Sequence, residues 1–173
     1  MSEPTGKNRV PAVEGLFTID DPPHLLGGKV PGRESYFFPM QLAGGDPVAG
    51  SGELDEVLLS RTGRIWSYTN SAYPPPPPYV VTTEPFVPVT IAAVELDHEK
   101  MVVLGQVVDG YTVDDLRIGM EVELVVDTLY RDDDNEYLVW KWAPVTASDA
   151  ATGERDTYER DTSERGMDET ENR

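Results

Sequence analysis

The chain has 173 residues and a formal net charge of −18. Its length fits one domain with extensions, and so acidic a chain repels phosphate backbones, which disfavours nucleic-acid binding. It has no apolar run of membrane-spanning length and no leader pattern, so we expect a cytoplasmic protein that does not bind a membrane. The absence of cysteine, with only His24 and His98 as imidazoles, argues against thiolate chemistry, cysteine-ligated zinc and a histidine metal cage.

The first third of the chain is rich in turn-forming residues. Residues 1–23 contain proline, glycine and acids around one apolar stretch, Leu16–Ile19, and we predict an extended N-terminal arm anchored by Phe17. Residues 24–55 include a glycine-rich run over 43–52 and are too rich in turns for a helix or a proper sheet. We predict a small segment dominated by loops.

Residues 56–145 change character and become rich in β-branched and aromatic residues. Strand-like segments lie over 56–60 and 64–69, joined across Thr62-Gly63, and over 89–96, 101–108, 121–126 and 137–142; one helical turn is predicted at Val113–Arg117. About five strands of this size bury both sheet edges only by curling, so we predict an all-β, five-stranded OB-type barrel. A sandwich is the alternative, although it usually needs about seven strands.

The C-terminal segment, residues 146–173, contains serine, threonine, acids and arginine with almost no apolar residue, and it contributes −5 to the net charge. Such a composition cannot bury enough apolar surface to fold. We predict a disordered acidic tail.

Seven segments, taken in order, form a pattern: His24–Gly27, Tyr36–Pro39, Leu59–Gly63, Trp66–Thr69, a proline-rich loop, Ala92–Leu96 and Asp115–Val122. Together they resemble a family with a rubredoxin-like zinc ribbon followed by an OB fold. This family was long classed as a domain of unknown function, and it is associated with lipid-transfer-protein thiolases and aldolases. The resemblance covers residues 14–145.

One departure from the family concerns zinc. The family's ribbon carries two cysteine pairs, and the corresponding positions here are Val30 and Arg33, then approximately Gly44 and Ala49. None of these residues binds zinc, so we interpret the ribbon as degenerate, with the folding energy of the metal replaced by other contacts. Residues 28–55 are expected to be a mobile loop or to be ordered by a partner.

The resemblance implies a non-catalytic accessory subunit of a heteromeric thiolase-type enzyme, a thiolase or a retro-aldolase, acting on acyl-CoA in steroid, aromatic or fatty acid catabolism. The thiolase-like partner would carry the catalytic residues, and this chain would supply the partner interface and part of the acyl-CoA channel. A coenzyme A thioester would then be the ligand of the complex, and no bound cofactor is expected. A stand-alone acyl-CoA or small-molecule binding module is the alternative.

No pattern in the sequence indicates catalysis by this chain alone. Hydroxyl groups occur close together at Ser60, Ser67, Thr69 and Ser71. Neither histidine lies in a recognisable motif with any of them, and neither a nucleophile elbow nor a phosphate-binding glycine loop is present. We therefore predict no catalytic residue and no metal ligand.

The proline run Pro74–Pro78, centred on Pro76, is the first candidate for binding a partner or an acyl chain. Proline preorganises the backbone as polyproline II, so binding costs little backbone entropy. Tyr73 and Tyr79 flank the run, and Phe86 follows it. A rigid connection between two strands is the alternative.

Arg61 and Arg64 are candidates for contact with a CoA phosphate, because a planar guanidinium suits bidentate phosphate binding. Ion pairs with nearby acids such as Glu56 are the alternative. Tyr68 lies in the same predicted strand and is a further candidate for binding acyl-CoA or the partner. The alternative is a structural place in the barrel core or at its rim.

The tryptophans of the predicted barrel, Trp66, Trp140 and Trp142, are assigned to the core or rim rather than to ligand stacking. Trp140 and Trp142 are two residues apart in a predicted strand and therefore share a face. One buried row that includes both is expected.

Overall fold

The computed structural model describes residues 7–41, 54–74 and 84–146. The elements in these residues are β1 Asn8–Pro11, β2 Leu26–Lys29, β3 Tyr36–Phe37, β4 Asp55–Leu58, β5 Thr62–Ser71, β6 Val89–Leu96, β7 Val102–Val107, a 3-10 helix at Val113–Asp115, β8 Glu121–Arg131 and β9 Asn135–Pro144. This part of the chain contains no helix long and apolar enough to cross a lipid bilayer. The predicted C-terminal tail, beyond Thr146, lies outside the described residues.

Strands β5 to β9 close into a barrel. They pair in the order β9-β7-β6-β5-β8, and β8 pairs in turn with β9, so each strand has two neighbours. All these pairings are antiparallel except that of β7 with β9. The 3-10 helix lies between β7 and β8, where the sequence predicts a helical turn. The predicted five-stranded OB-type barrel is confirmed, and closure removes the exposed sheet edges.

The barrel interior follows the alternation of the sequence. In β6, every second residue is buried: Thr90, Ala92, Val94 and Leu96. The other wall is formed by Val122, Leu124, Leu138 and Trp142, which have no exposed surface. Since side chains of a strand point alternately to its two faces, one apolar row per strand is enough to fill the cylinder.

Two tryptophans of β9 pack against the backbone of β7. A Cβ atom added at Gly105 would lie 2.7 Å from Nε1 of Trp142 and 2.9 Å from Nε1 of Trp140. Trp140 Nε1 also donates a hydrogen bond to the Leu104 carbonyl at 3.1 Å. The expected shared face of Trp140 and Trp142 is confirmed, and it requires a glycine opposite because both rings occupy the space of a side chain.

The described part of the N-terminal arm is held to the barrel at two places. Strand β1 pairs in parallel with β9, from Asn8 opposite Asn135 to Pro11 opposite Leu138. Further along, the Phe17 side chain is 4% exposed, and its ring meets that of Trp140 edge-on at 5.8 Å between centroids.

Strands β2, β3 and β4 form a small antiparallel sheet, which we call the ribbon sheet, in the order β3-β2-β4. The expectation that residues 24–55 contain no proper sheet is therefore wrong for the described residues of this segment; residues 42–53 lie outside them. Leu25 and Leu59, next to the ribbon sheet, belong to the same buried cluster as the barrel interior. Tertiary burial thus orders a segment whose local composition favours turns.

The predicted first barrel strand, residues 56–60, also needs correction. Asp55–Leu58 pairs with β2 in the ribbon sheet and with no barrel strand. Thr62 and Gly63, predicted to form a turn, instead begin β5 and pair with β8. Both segments are rich in strand-forming residues, but composition alone does not determine which strands become neighbours.

One lysine is buried in the barrel wall. Lys141 is 3% exposed, and its Nζ donates to Asp127 at 2.8 Å and to Asp109 at 3.5 Å. Partial burial raises the pKa of Asp127, but the hydrogen bonds from Lys141 and from the Thr128 N–H lower it by more, so the net pKa lies below the ordinary value. The buried ammonium therefore depends on Asp127 for compensation.

Replacing Gly105 with alanine should destabilise the fold by about 1–3 kcal/mol, because the added methyl group forces both indole rings to move. Urea unfolding monitored by tryptophan fluorescence measures the change. Leu104→Ala, at the neighbouring position that is 64% exposed, is the matched control and should stay close to wild type. Equal stability of Gly105→Ala and wild type would contradict this packing.

The variant Asp127→Asn should cost about 1–3 kcal/mol at neutral pH, because it leaves the Lys141 ammonium buried with weaker compensation. Lys141→Met removes the charge itself and should cost less. The folded-state pKa of Asp127 is depressed, so its contribution is present above the unfolded pKa and is lost as pH falls through the folded value. The gap between wild type and Asp127→Asn should therefore narrow in urea titrations below about pH 4; a constant gap would disprove the linkage.

Candidate functional site

The predicted site residues are spread along one strand. Arg61 and Arg64 lie at the start of β5, whereas Tyr73 follows its far end. A ten-residue strand spans roughly 30 Å. The structure thus separates the arginines from the start of the proline run and does not bring them into one pocket.

The two arginines differ in their partners. Arg64 pairs with Glu121 through NH2 and donates from NH1 to the Gly119 carbonyl at 3.2 Å. The alternative of an ion pair thus holds for Arg64, but with Glu121 instead of Glu56. Arg61 forms no ion pair within the described residues, and its buried Nε has no hydrogen-bond partner there. Of the two, Arg61 is the one without a carboxylate partner in the described residues.

The aromatic candidates have different environments. Tyr68 is half-buried and packs against the barrel core, as its alternative assignment expects. Tyr73 is 74% exposed, and its carbonyl accepts a hydrogen bond from Ser71. Phe86 is half-buried just before β6. Pro76 and Tyr79 lie outside the described residues, so the shape of the proline run stays a prediction.

The described hydroxyl groups are not arranged for nucleophilic catalysis. Thr69 and Ser71 donate to backbone carbonyls, and the Ser60 hydroxyl accepts the backbone N–H of His98. No described serine or threonine hydroxyl is bonded to a histidine ring, whereas an activated hydroxyl needs an adjacent base.

Both histidines have local partners. His24 Nδ1 lies 3.1 Å from the Pro22 carbonyl, in the turn before the ribbon sheet. His98 Nε2, in the turn between β6 and β7, lies 3.2 Å from the Tyr36 hydroxyl, and the two rings meet edge-on. The barrel and the ribbon sheet are thus joined by a polar contact that the sequence did not indicate.

Charged groups extend this contact on the ribbon side. Tyr36 donates to Glu34 at 2.8 Å, and Lys29 donates to the other oxygen of the same carboxylate at 2.8 Å. The hydrogen bond from Lys29, followed by that from Tyr36, lowers the pKa of Glu34, and the bond to Glu34 raises the pKa of Lys29. Desolvation and the bond to Glu34 raise the pKa of Tyr36, which therefore stays a neutral donor. All four groups, Lys29, Glu34, Tyr36 and His98, border solvent. They form a surface contact between the ribbon sheet and the barrel, which we call the latch.

The positions of the first cysteine pair form a turn without metal ligands. Val30 is 7% exposed, and the Arg33 N–H donates to its carbonyl at 3.1 Å. Gly44 and Ala49 lie outside the described residues. Within the described ranges, no three His, Asp or Glu side chains come together as a metal site.

A group of exposed apolar side chains lies on the outside of the barrel. The pairing of β5 with β6 is irregular between Ile65 and Ser67, and Trp66 at this bulge is 62% exposed. Across β6, Leu104 and Val102 of β7 are 64% and 45% exposed. We call this surface, with the adjacent Ile118, the β5–β7 face.

Ile118 is held beside β5 by backbone hydrogen bonds. The Ile65 N–H donates to the Met120 carbonyl at 2.9 Å, and the Gly119 N–H donates back to the Ile65 carbonyl at 2.8 Å. Ile118, in the same turn, is 73% exposed. Exposed apolar residues therefore lie on both sides of Trp66, an arrangement typical of interaction surfaces.

Sequence reasoning missed this surface because it assigned Trp66 to the core or rim. Simple alternation from the buried Ile65 already places Trp66 outside, which is a signal in the sequence. The bulge then places Ser67 outside as well and turns Tyr68 back towards the core.

Comparisons with known proteins agree with this architecture. Residues 56–127 match the family model described as the ChsH2 C-terminal OB-fold domain. A chain in a solved structure described as an Ltp2-ChsH2(DUF35) aldolase is similar, with 27% sequence identity and a TM-score of 0.50, over 70% of this chain and 84% of that one. Curated protein sequences gave no significant match. The resemblance to an OB-fold family associated with lipid-transfer-protein thiolases and aldolases is thus confirmed, and residues 56–127 carry the match to the family model.

Proposed function

We propose that this chain is a non-catalytic subunit of a thiolase-type aldolase or thiolase that acts on acyl-CoA. The observation that carries the proposal is the similarity to a chain of an Ltp2-ChsH2(DUF35) aldolase, which extends over 70% of this chain and so beyond the OB-fold domain alone. No serine or threonine hydroxyl in the described residues is bonded to a histidine ring, which supports the assignment of the chemistry to the partner.

The contribution of this chain is binding and positioning. The described part of the barrel interior is filled by side chains, among them Trp142, Leu124 and Leu138 with no exposed surface. A partner or a ligand must therefore use the outside of the barrel or its loops. The exposed apolar residues of the β5–β7 face suit a protein partner.

Part of the acyl-CoA channel is also proposed to come from this chain. Arg61 is the first choice for a CoA phosphate, since no described carboxylate neutralises it, whereas Glu121 engages Arg64. Tyr73 and Phe86, at the two described ends of the proline-rich loop, are proposed to contact the partner or the acyl chain. The proposed substrates carry acyl groups from steroid, aromatic or fatty acid catabolism.

Co-expression with each thiolase-like protein of the source genome tests the function. One of them should co-purify with this chain at fixed stoichiometry through size-exclusion chromatography, and the complex should cleave acyl-CoA esters. The isolated chain should show no turnover. Failure of every thiolase-like protein to bind, or turnover by the purified chain alone, would refute the proposal. Tight binding of CoA esters by the isolated chain in calorimetry would favour the stand-alone binding module.

Arg61→Ala in the complex should raise KM for a CoA thioester by about 10- to 100-fold with kcat little changed, because a charged hydrogen bond contributes about 1.5–3 kcal/mol. The thioester of pantetheine, which lacks the CoA phosphates, should show no such effect. Arg33→Ala, at an exposed cation of the ribbon turn, is the matched control. An equal change with both thioesters would assign Arg61 to structure instead of phosphate binding.

A further inference from the structure

Two cations without a carboxylate partner in the described residues lie beside the β5–β7 face. Five of the described cations are paired with carboxylates: Arg9, Lys29, Arg64, Arg131 and Lys141. The other five, Lys7, Arg33, Arg61, Lys100 and Arg117, form no ion pair within the described residues, and of these Lys100 and Arg117 are next to residues of the face in the sequence. Lys100 lies two residues before Val102, and Arg117 directly precedes Ile118. Cations without carboxylate partners thus lie next to exposed apolar residues of the face.

The backbone geometry makes the face continuous. Ala93 of β6 pairs with Ser67 on one side and with Leu104 on the other. Neighbouring strands are about 4.8 Å apart, so Trp66 and Leu104 are carried by backbones roughly 10 Å apart. Because β6 and β7 are the second and third strands of the barrel, the face includes the wall on which OB folds commonly bind their ligands.

We infer that the β5–β7 face is the docking surface for the thiolase-like subunit, and that the matching surface of that subunit is apolar at its centre with carboxylates at its rim. This inference rests on the proposed function. Trp66 is the expected anchor, since tryptophan is enriched among residues that dominate binding energy. Lys100 and Arg117 would pair with the partner's carboxylates and set the orientation.

A second copy of this chain fits the face less well. Each copy carries a formal net charge of −18, so two copies repel one another. A symmetric contact also brings the same patch of each copy together, including its exposed cations, without supplying the carboxylates that Lys100 and Arg117 lack.

The test measures the affinity of variants of the full-length chain for the thiolase-like protein that co-purifies with wild type. Trp66→Ala should weaken binding by about 30-fold or more, and Leu104→Ala should weaken it by a smaller factor. Leu58→Ala, at a position on β4 that is 58% exposed, is the matched apolar control and should bind like wild type. Arg117→Glu should weaken binding most at low salt, while Arg33→Glu should have little effect.

The outcomes distinguish failure of the docking inference from failure of the proposed function. If no thiolase-like protein binds wild type, the proposed function fails. If one binds and all face variants bind equally well, the function stands and the docking surface is elsewhere. Self-association of wild type in sedimentation, abolished by Trp66→Ala, would assign the face to a second copy and overturn the inference. The stability of Trp66→Ala in urea unfolding should match that of wild type, which shows that a loss of binding is not caused by a loss of folding.

Discussion

The indole of Trp140 is the contact on which the arrangement of the described segments depends. It packs where Gly105 lacks a side chain, and its edge contacts reach Phe17 of the arm at 5.8 Å and Phe38 after the ribbon sheet at 5.7 Å. Aromatic pairs of this kind contribute about 0.5–1.5 kcal/mol each beyond their buried area. One side chain of the barrel thus contacts both the N-terminal arm and the ribbon segment. The arm, the ribbon segment and the barrel share one buried cluster.

This shared core explains how a ribbon sheet is ordered without cysteine ligands. In zinc ribbons the metal supplies much of the folding free energy. Here Leu25 and Leu59 are buried against the barrel, and the latch between Tyr36 and His98 adds a polar contact. The same filling of the interior has a functional consequence, because it leaves the outside of the barrel for binding. The filled interior therefore supports the proposal that this chain presents a binding surface to a partner.

The sequence predicts strands well where apolar and polar residues alternate, and poorly where a strand lacks this alternation. The hairpins, the helical turn before β8 and the barrel class follow from composition and from the period of two. The paired tryptophans of β9 follow from the same period. The ribbon sheet was missed because Gly27 and Gly28 of β2 are weak strand formers, yet both are buried where a Cβ would meet Leu59 or Leu54 within 3 Å. In the candidate site, the sequence pointed to residues of β5 but did not indicate the exposed face that β5 shares with β7.

The sequence by itself determined the barrel, the absence of cysteine ligands and the acidic character, because these depend on composition and on the alternation of neighbouring residues. Only the tertiary structure decided which groups meet. Arg64 forms an ion pair with Glu121, 57 positions away, whereas Arg61 has no carboxylate partner among the described residues. The bulge at Trp66 and the turn at Ile118 combine into one exposed surface for the same reason. Such pairings depend on closure of the barrel, and closure is set by register between strands distant in the chain.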